Sequence, residues 1–299
     1  MYYLIYGILY LFSLLPFFIL YGISNVLSFL LYRVMGYRRK VVLENLRIAF
    51  PGKTEQERKT IARKFYRNLT DTFLESVKLL SLSAHRLDKR AIIDISKINE
   101  VAAKGKNIQL HSGHQMNWEY ANYAVARKIQ IPFIGVYMRI NNKALDKIFY
   151  NLRSKYGTRL VAAQEFKSRR HTVFQGQYAL GLVADQNPGR PGLADWMYFF
   201  SKPAGFVTGP DKGARLNNTA VFFVRFIIVK RGYYLFEPVL ITENAAEKPE
   251  GWLTLAYRDF VEETIREQPD NYLWSHKRWK WHFSGETKGR WIDVNLPPA

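Results

Sequence analysis

The sequence predicts an α/β protein: a mostly parallel mixed sheet flanked by helices, led by an apolar N-terminal helix in or on a membrane. Three observations carry that reading. Short apolar runs alternate with helical stretches from about residue 90 onward, the pattern of a parallel sheet covered by helices. Two longer runs near the end are joined by Lys230-Arg231-Gly232-Tyr233, which adds an antiparallel hairpin. Residues 1–32 carry no charged side chain at all.

The chain of 299 residues is long enough for one large α/β domain or two small ones. Hydrophobic residues make up 48% and aromatics 15%, so a packed core is expected and wholesale disorder is not. A formal charge of +19 points to an anionic partner: nucleic acid, phospholipid headgroups or an acidic carrier protein. With no cysteine there is no disulfide, thiolate nucleophile or Cys-based metal site. GxSxG, HExxH, GxxxxGK[ST] and GxGxxG are absent, which removes the commonest hydrolase, zinc-protease and nucleotide-site readings.

Taken in order, residues 1–40 read as a membrane anchor with an interfacial extension. A span needs about 20 apolar residues, and the uncharged run exceeds that while lacking the basic start and cleavage site of a signal peptide. The span is placed at 2–21 with a kink at Pro16, and 22–35 continues along the bilayer or its interface. Arg33, Arg38, Arg39 and Lys40 follow, and basic flanks stay cytoplasmic. Residues 41–82 read as a helical hairpin broken at Pro51-Gly52 and restarted by Thr54, with Glu57 three residues on. Arg58, Lys59, Arg63, Lys64 and Arg67 share that second helix as a solvated face, or one that touches anionic lipid. Strands are expected at 107–110, 133–137, 159–162, 180–184, 220–229 and 233–241, with helices at 117–127, 142–155, 164–175, 211–216 and 253–267. No repeat or flexible linker interrupts them, so 41–299 reads as one domain.

Functional residues concentrate between Asn107 and Glu119. A strand ending in His111-Ser112-Gly113-His114, with a helix starting near Asn117, is where α/β proteins place ligands and reacting groups. His114 and Glu119 could not meet on one continuous helix, where five residues separate them by about 140°. With His114 in the turn and Glu119 in the first helical turn they can face each other. An imidazole oriented by a carboxylate is the pairing that activates a hydroxyl. A metal site built from His111, His114 and Glu119 lacks the usual acidic second ligands.

Beyond that segment, Asp185-Gln186 closes a strand at the sheet edge, suited to positioning an acceptor or His114. The turn-rich loop from Asn187 to Gly192 suits a pocket mouth. Arg153 reads as a cation on a helix C-terminus. Trp196, Tyr198, Phe199 and Phe200 line an acyl groove or fill the core. The tail interleaves Trp274, Trp279 and Trp281 with His276, Lys277, Arg278 and Lys280, which suits a bilayer interface once an anchor is present.

His114-Gln115-Met116-Asn117-Trp118-Glu119 resembles the H-x4-[DE] box of bacterial lipid A biosynthesis (lauroyl/myristoyl) acyltransferases, and the resemblance runs nearly the whole chain. It also takes in Glu44-Asn45-Leu46, Phe50-Pro51, Arg153 ahead of Gly157, Asp185-Gln186 and the tail from Pro269 to Lys280. The resemblance implies a glycerolipid-acyltransferase-like fold and transfer of a fatty acyl chain from a thioester donor to a hydroxyl of a lipid A precursor. His114 is then the general base, Glu119 holds its tautomer, and backbone N–H groups around Met116 and Asn117 meet the developing oxyanion. Arg153 binds a phosphate or steadies the acid. Implied partners are a membrane glycolipid, anionic headgroups and acyl carrier protein, with coenzyme A as the other anionic carrier; no metal or cofactor is required, and nucleic acid is not expected. The implied place is the cytoplasmic face of the inner membrane. Two alternatives stand beside this one: an acyltransferase acting on another membrane lipid, and a non-catalytic tether that binds anionic lipid.

Overall fold

A computed structural model describes residues 1–284 and 289–298. The chain begins with two apolar helices, α1 (Tyr2–Leu14) and α2 (Phe17–Phe29), the second continued by a π-helical turn (Leu30–Val34). Next come α3 (Arg39–Ala49) and α4 (Glu55–Lys78), then α5 (Ala84–Asp88), β1 (Ala91–Ile93) and α6 (Ser96–Ala103). The central alternation follows: β2 (Ile108–Ser112), α7 (Trp118–Lys128), β3 (Phe133–Tyr137), α8 (Lys143–Ser154), β4 (Arg159–Ala162), α9 (Phe166–Val173) and β5 (Ala179–Val183). A small hairpin, β6 (Ala194–Phe199) and β7 (Lys202–Val207), precedes α10 (Gly209–Leu216). The chain closes with β8 (Ala220–Lys230), β9 (Tyr233–Thr242), α11 (Trp252–Glu267) and β10 (Arg290–Trp291).

Seven strands form the main sheet in the order β1-β9-β8-β2-β5-β3-β4. Neighbours pair in parallel except β8 with β9, the late hairpin read from the sequence. β2 lies at the centre with β5 on one side and β8 on the other. From β2 the chain first builds one half of the sheet and later returns to build the other. Ligands of open α/β sheets sit at the carboxyl ends of strands flanking such a reversal. A second sheet, β10-β6-β7, was not anticipated. Its Trp196 and Phe199 are wholly buried, so that aromatic run packs core rather than lining a groove.

Pro16 ends a helix instead of kinking one. Leu15 has φ −54° and ψ 139°, the extended conformation imposed on a residue before proline. α1 is 13 residues long, about 20 Å at 1.5 Å per residue and short of the roughly 30 Å hydrocarbon layer. Among the described residues the helical segment long and apolar enough to cross a membrane is Phe17–Val34, not 2–21. α2 nonetheless gives one face to α4, where Ser24 Oγ and Thr70 Oγ1 lie 2.7 Å apart and the Tyr21 hydroxyl donates to Glu75. Its other face, with Phe18, Val26 and Phe29, is exposed. α4 starts on a full capping box: Thr54 Oγ1 accepts from the Glu57 N–H and Glu57 Oε2 from the Thr54 N–H.

Candidate functional site

The register of β2 on β5 sets the central contact. His111 lies opposite Leu182 and Ser112 opposite Val183, so extending both parallel strands by two residues brings His114 beside Asp185. There the His114 ring Nδ1 sits 2.6 Å from Asp185 Oδ1. The His114 backbone N–H donates to both carboxylate oxygens, at 3.1 and 3.2 Å. Asp185 is wholly buried while the His114 side chain is 25% exposed, so the acid is sealed and the imidazole faces outward. Burial alone would raise the Asp185 carboxyl, but His114 and the Tyr272 hydroxyl overcome it and hold it at about 2. The carboxylate is charged at neutral pH, fixing Nδ1 as the protonated nitrogen and leaving Nε2 as the acceptor.

Glu119 takes a different partner from the one expected. It stands in the first turn of α7 and accepts from Arg153 Nε at 3.0 Å to each oxygen and from Nη2 at 2.5 Å. Trp118 Nε1 adds a 3.2 Å bond. Glu119 is 3% exposed and Arg153 19%, so the pair is a nearly buried, forked ion pair. The expected His114–Glu119 bond is not among the bonds of the described residues. Register explains the substitution: Asp185 lies just past the end of β5, the strand adjacent to β2, whereas Glu119 leans toward the end of α8.

Asn117 is a structural cap. Its Oδ1 accepts from the Glu119 and Tyr120 N–H groups at 3.1 and 3.2 Å, and its Nδ2 donates to Glu75 Oε2 at 3.0 Å. With no exposure and both ends used, this side chain is committed before any ligand arrives. The Met116 N–H, expected to meet an oxyanion, donates instead to Asn271 Oδ1 at 2.9 Å. His111 is buried between Phe223 and Tyr257, bonded to Gln109 Oε1 and lowered to about 3 by burial. Its ring faces the core.

Residues 271–274 brace the turn, a role that sequence reasoning missed. Asn271 Nδ2 donates to the Phe226 carbonyl while its Oδ1 holds Met116, and the Leu273 N–H donates to the His114 carbonyl at 3.0 Å. Tyr257 braces it from α11, its hydroxyl donating to the Ser112 carbonyl and accepting from the Ala184 N–H. The tail expected at a bilayer interface is largely interior: Trp274 is wholly buried and Trp279 stacks on Phe199. Aromatic and basic residues can be interleaved at a bilayer or in a core, and here Asn45, bonded to the Trp274 and His276 carbonyls, draws the tail inward.

His114, Glu119, Arg153, Gln186 and Asn187 share the mouth of one cleft of about 580 Å³. Its inner wall is apolar, with Phe133, Val136, Leu160, Leu182 and Phe236 among the lining. An exposed imidazole over an apolar cavity of this size suits a ligand with one reactive polar end and a long hydrocarbon body. The model for bacterial lipid A biosynthesis acyltransferases matches residues 1–281. The chain is 25% identical over 280 residues to the lipid A biosynthesis lauroyltransferase of Escherichia coli (strain K12), spanning 92% of this chain and 89% of that one. It is 20% identical over 284 residues to the palmitoleoyltransferase of the same organism, spanning 94% and 91%. Against a lipid A biosynthesis acyltransferase of Haemophilus influenzae it is 24% identical over 235 residues.

Proposed function

The chain belongs to the bacterial lipid A biosynthesis acyltransferases, and from that footing we propose that it moves a fatty acyl chain from a thioester, carried by acyl carrier protein or coenzyme A, to a hydroxyl of a lipid A precursor. The observation that carries the mechanism is the sealed Asp185 behind a partly exposed His114 at the mouth of an apolar cleft.

The acceptor hydroxyl is a weak nucleophile at neutral pH. His114 Nε2 takes its proton as the oxygen attacks the thioester carbonyl, a contribution of typically 10²–10⁴-fold. Asp185 keeps Nδ1–H in place and offsets the charge of the imidazolium that forms. The tetrahedral intermediate collapses with departure of the thiolate, to which the imidazolium returns its proton. Arg153, neutralised along its Nε edge by Glu119, turns its remaining donors to a phosphate of the acceptor or donor. Gln186 contributes an amide at the same mouth, and the apolar wall holds the acyl chain. The chemistry draws on side chains alone, with the acyl carrier as co-substrate.

Residues 1–40 serve as the membrane-contacting unit and 41–299, entered through α3 and α4, as the catalytic domain. The exposed face of α2 and the cations Arg33, Arg38, Arg39 and Lys40 after it support a seat for the domain at the cytoplasmic face of the inner membrane. The test is acceptor-dependent release of free thiol from an acyl thioester by the full chain. His114→Ala is expected to lose about 10²–10⁴ of that rate; a variant with wild-type turnover sinks the assignment.

A further inference from the structure

Between the two apolar helices lies a second cavity, of about 410 Å³, that shares no lining residue with the catalytic cleft. Four cations line it: Lys78 at the end of α4, Arg86 in α5, and Lys89 and Arg90 after it. No carboxylate does. Lys78 is buried and donates to the Ser13 and Leu15 carbonyls at 2.7 and 2.8 Å. It thus holds the break at Pro16 with neutral partners only. Arg90 lies flat between two rings, 3.7 Å from the centroid of Phe17 and 4.5 Å from that of Tyr233, and donates to the Gly232 carbonyl. The side chains of Arg86 and Lys89 make no ion pair or hydrogen bond among the described residues.

Four like charges gathered in one concavity repel each other, and burial adds to the cost. Neighbouring Arg86 and Arg90, after burial itself, push the Lys78 ammonium downward. An arrangement of this kind is relieved by an anion. The rim says which sort: Leu14 at 53% and nearby Phe18 at 75% exposure present bare hydrocarbon beside the charges. A free ion would gain nothing from that rim, whereas a lipid would lay its acyl chains along it and its phosphate among the cations.

We propose that this cavity seats the phosphodiester headgroup of an anionic glycerophospholipid, with Arg86 and Lys89 as its free cations and Arg90 as a fixed one. The seat rests on the exposed helices and the charges beside them, not on the catalytic reading, and would stand if His114 proved inert. It also fixes how the helix pair meets the bilayer, with the break at Pro16 at headgroup depth.

The test uses the full chain in vesicle flotation, with phosphatidylcholine alone and with phosphatidylcholine mixed with phosphatidylglycerol. Arg86→Ala/Lys89→Ala removes two exposed side chains that make no ion pair or hydrogen bond among the described residues, so folding is not at stake. Its preference for the mixed vesicles is expected to fall on the order of tenfold, while flotation with phosphatidylcholine alone is unchanged. Lys59→Ala/Lys64→Ala removes the same charge from the exposed face of α4 and is expected to lose much less. Equal losses in the two double variants, or none in the first, overturn the proposal. So does displacement of phosphatidylglycerol by an equal concentration of inorganic phosphate, which would make the ligand a soluble ion.

Discussion

Asp185→Asn separates the two acids at the cleft. The change keeps the shape of the side chain but removes the charge behind the imidazole and sets an amide where a carboxylate oxygen stood. Wild-type Asp185 accepts the His114 ring N–H at 2.6 Å and the His114 backbone N–H at 3.1 and 3.2 Å. An amide nitrogen at either oxygen position faces a donor, so the imidazole loses its anchor or adopts the wrong tautomer. Loss of tautomer control and of imidazolium stabilisation is expected to lower kcat by about 10²–10⁴, or roughly 3–5 kcal/mol of transition-state stabilisation. The KM for the acceptor should barely move, because Asp185 is sealed from the cleft. Glu119→Gln should behave oppositely: it loosens Arg153, raises the acceptor KM and changes kcat by less than about tenfold. Thiol release at varied acceptor concentration gives both constants. The buried mismatch in Asp185→Asn also costs about 1–3 kcal/mol of stability, so rates are taken well below the melting midpoint of each variant. Near-wild-type kcat in Asp185→Asn, alongside a collapse of kcat in Glu119→Gln, refutes the assignment and returns the imidazole to Glu119.

Arg153→Ala strands Glu119 at 3% exposure without its forked partner; a loss of about 3–5 kcal/mol is expected from denaturant midpoints, partly restored by adding Glu119→Gln. Asn271→Ala removes the partners of the Met116 N–H and the Phe226 carbonyl together, so both melting temperature and kcat should fall, each unpaired buried group costing about 1–3 kcal/mol. Glu75 is raised to about 7, by burial first and the nearby Asp71 charge, against bonds from Tyr234 and Asn117 that favour its ionised form. The folded carboxyl therefore keeps its proton to higher pH than the unfolded one, whose ordinary value is 4.5. Stability should fall as pH rises between those two values, and Glu75→Gln should flatten melting temperature against pH across that window.

Local signals were legible and long-range ones were not. Thr54 with Glu57, and Asn117 at the head of a helical run, declared two helix starts because capping depends on residues two or three apart. Lys230 to Tyr233 declared the hairpin for the same reason. The His114–Asp185 contact spans 71 positions and follows from β2 lying beside β5 in a particular register, which neither strand's composition records. Glu119, five residues from His114, was the nearer acid in sequence and so the easier match. Its sequence position suits Asp185 to an acceptor or to His114, and in the structure its carboxylate lies against the His114 ring. β1 was missed because three residues carry no detectable period. The tail misled because Trp, Arg and Lys at a headgroup layer and in an aromatic core look the same in one dimension. The Asn45 bonds to the Trp274 and His276 carbonyls and the stack of Trp279 on Phe199 distinguish them.

The two acids of the cleft illustrate how environment divides labour between like groups. Among the described residues Asp185 receives donors from the turn it supports and from Tyr272, so its charge remains available to the imidazole. Glu119 has an arginine across both oxygens, and its charge is spent before a substrate arrives. A third carboxylate, Glu75, ties this arrangement to the apolar helices. It accepts from Tyr21 on α2, Tyr234 on β9 and the Asn117 side chain that caps α7. Since α7 carries Glu119, and Glu119 holds Arg153, the apolar helix α2 and the cation at the cleft mouth are joined by four consecutive polar contacts. A shift of α2 against α4 cannot leave Arg153 where it is unless one of those buried bonds breaks. The cost of an unpaired buried polar group is what couples the position of α2 to the geometry of the site.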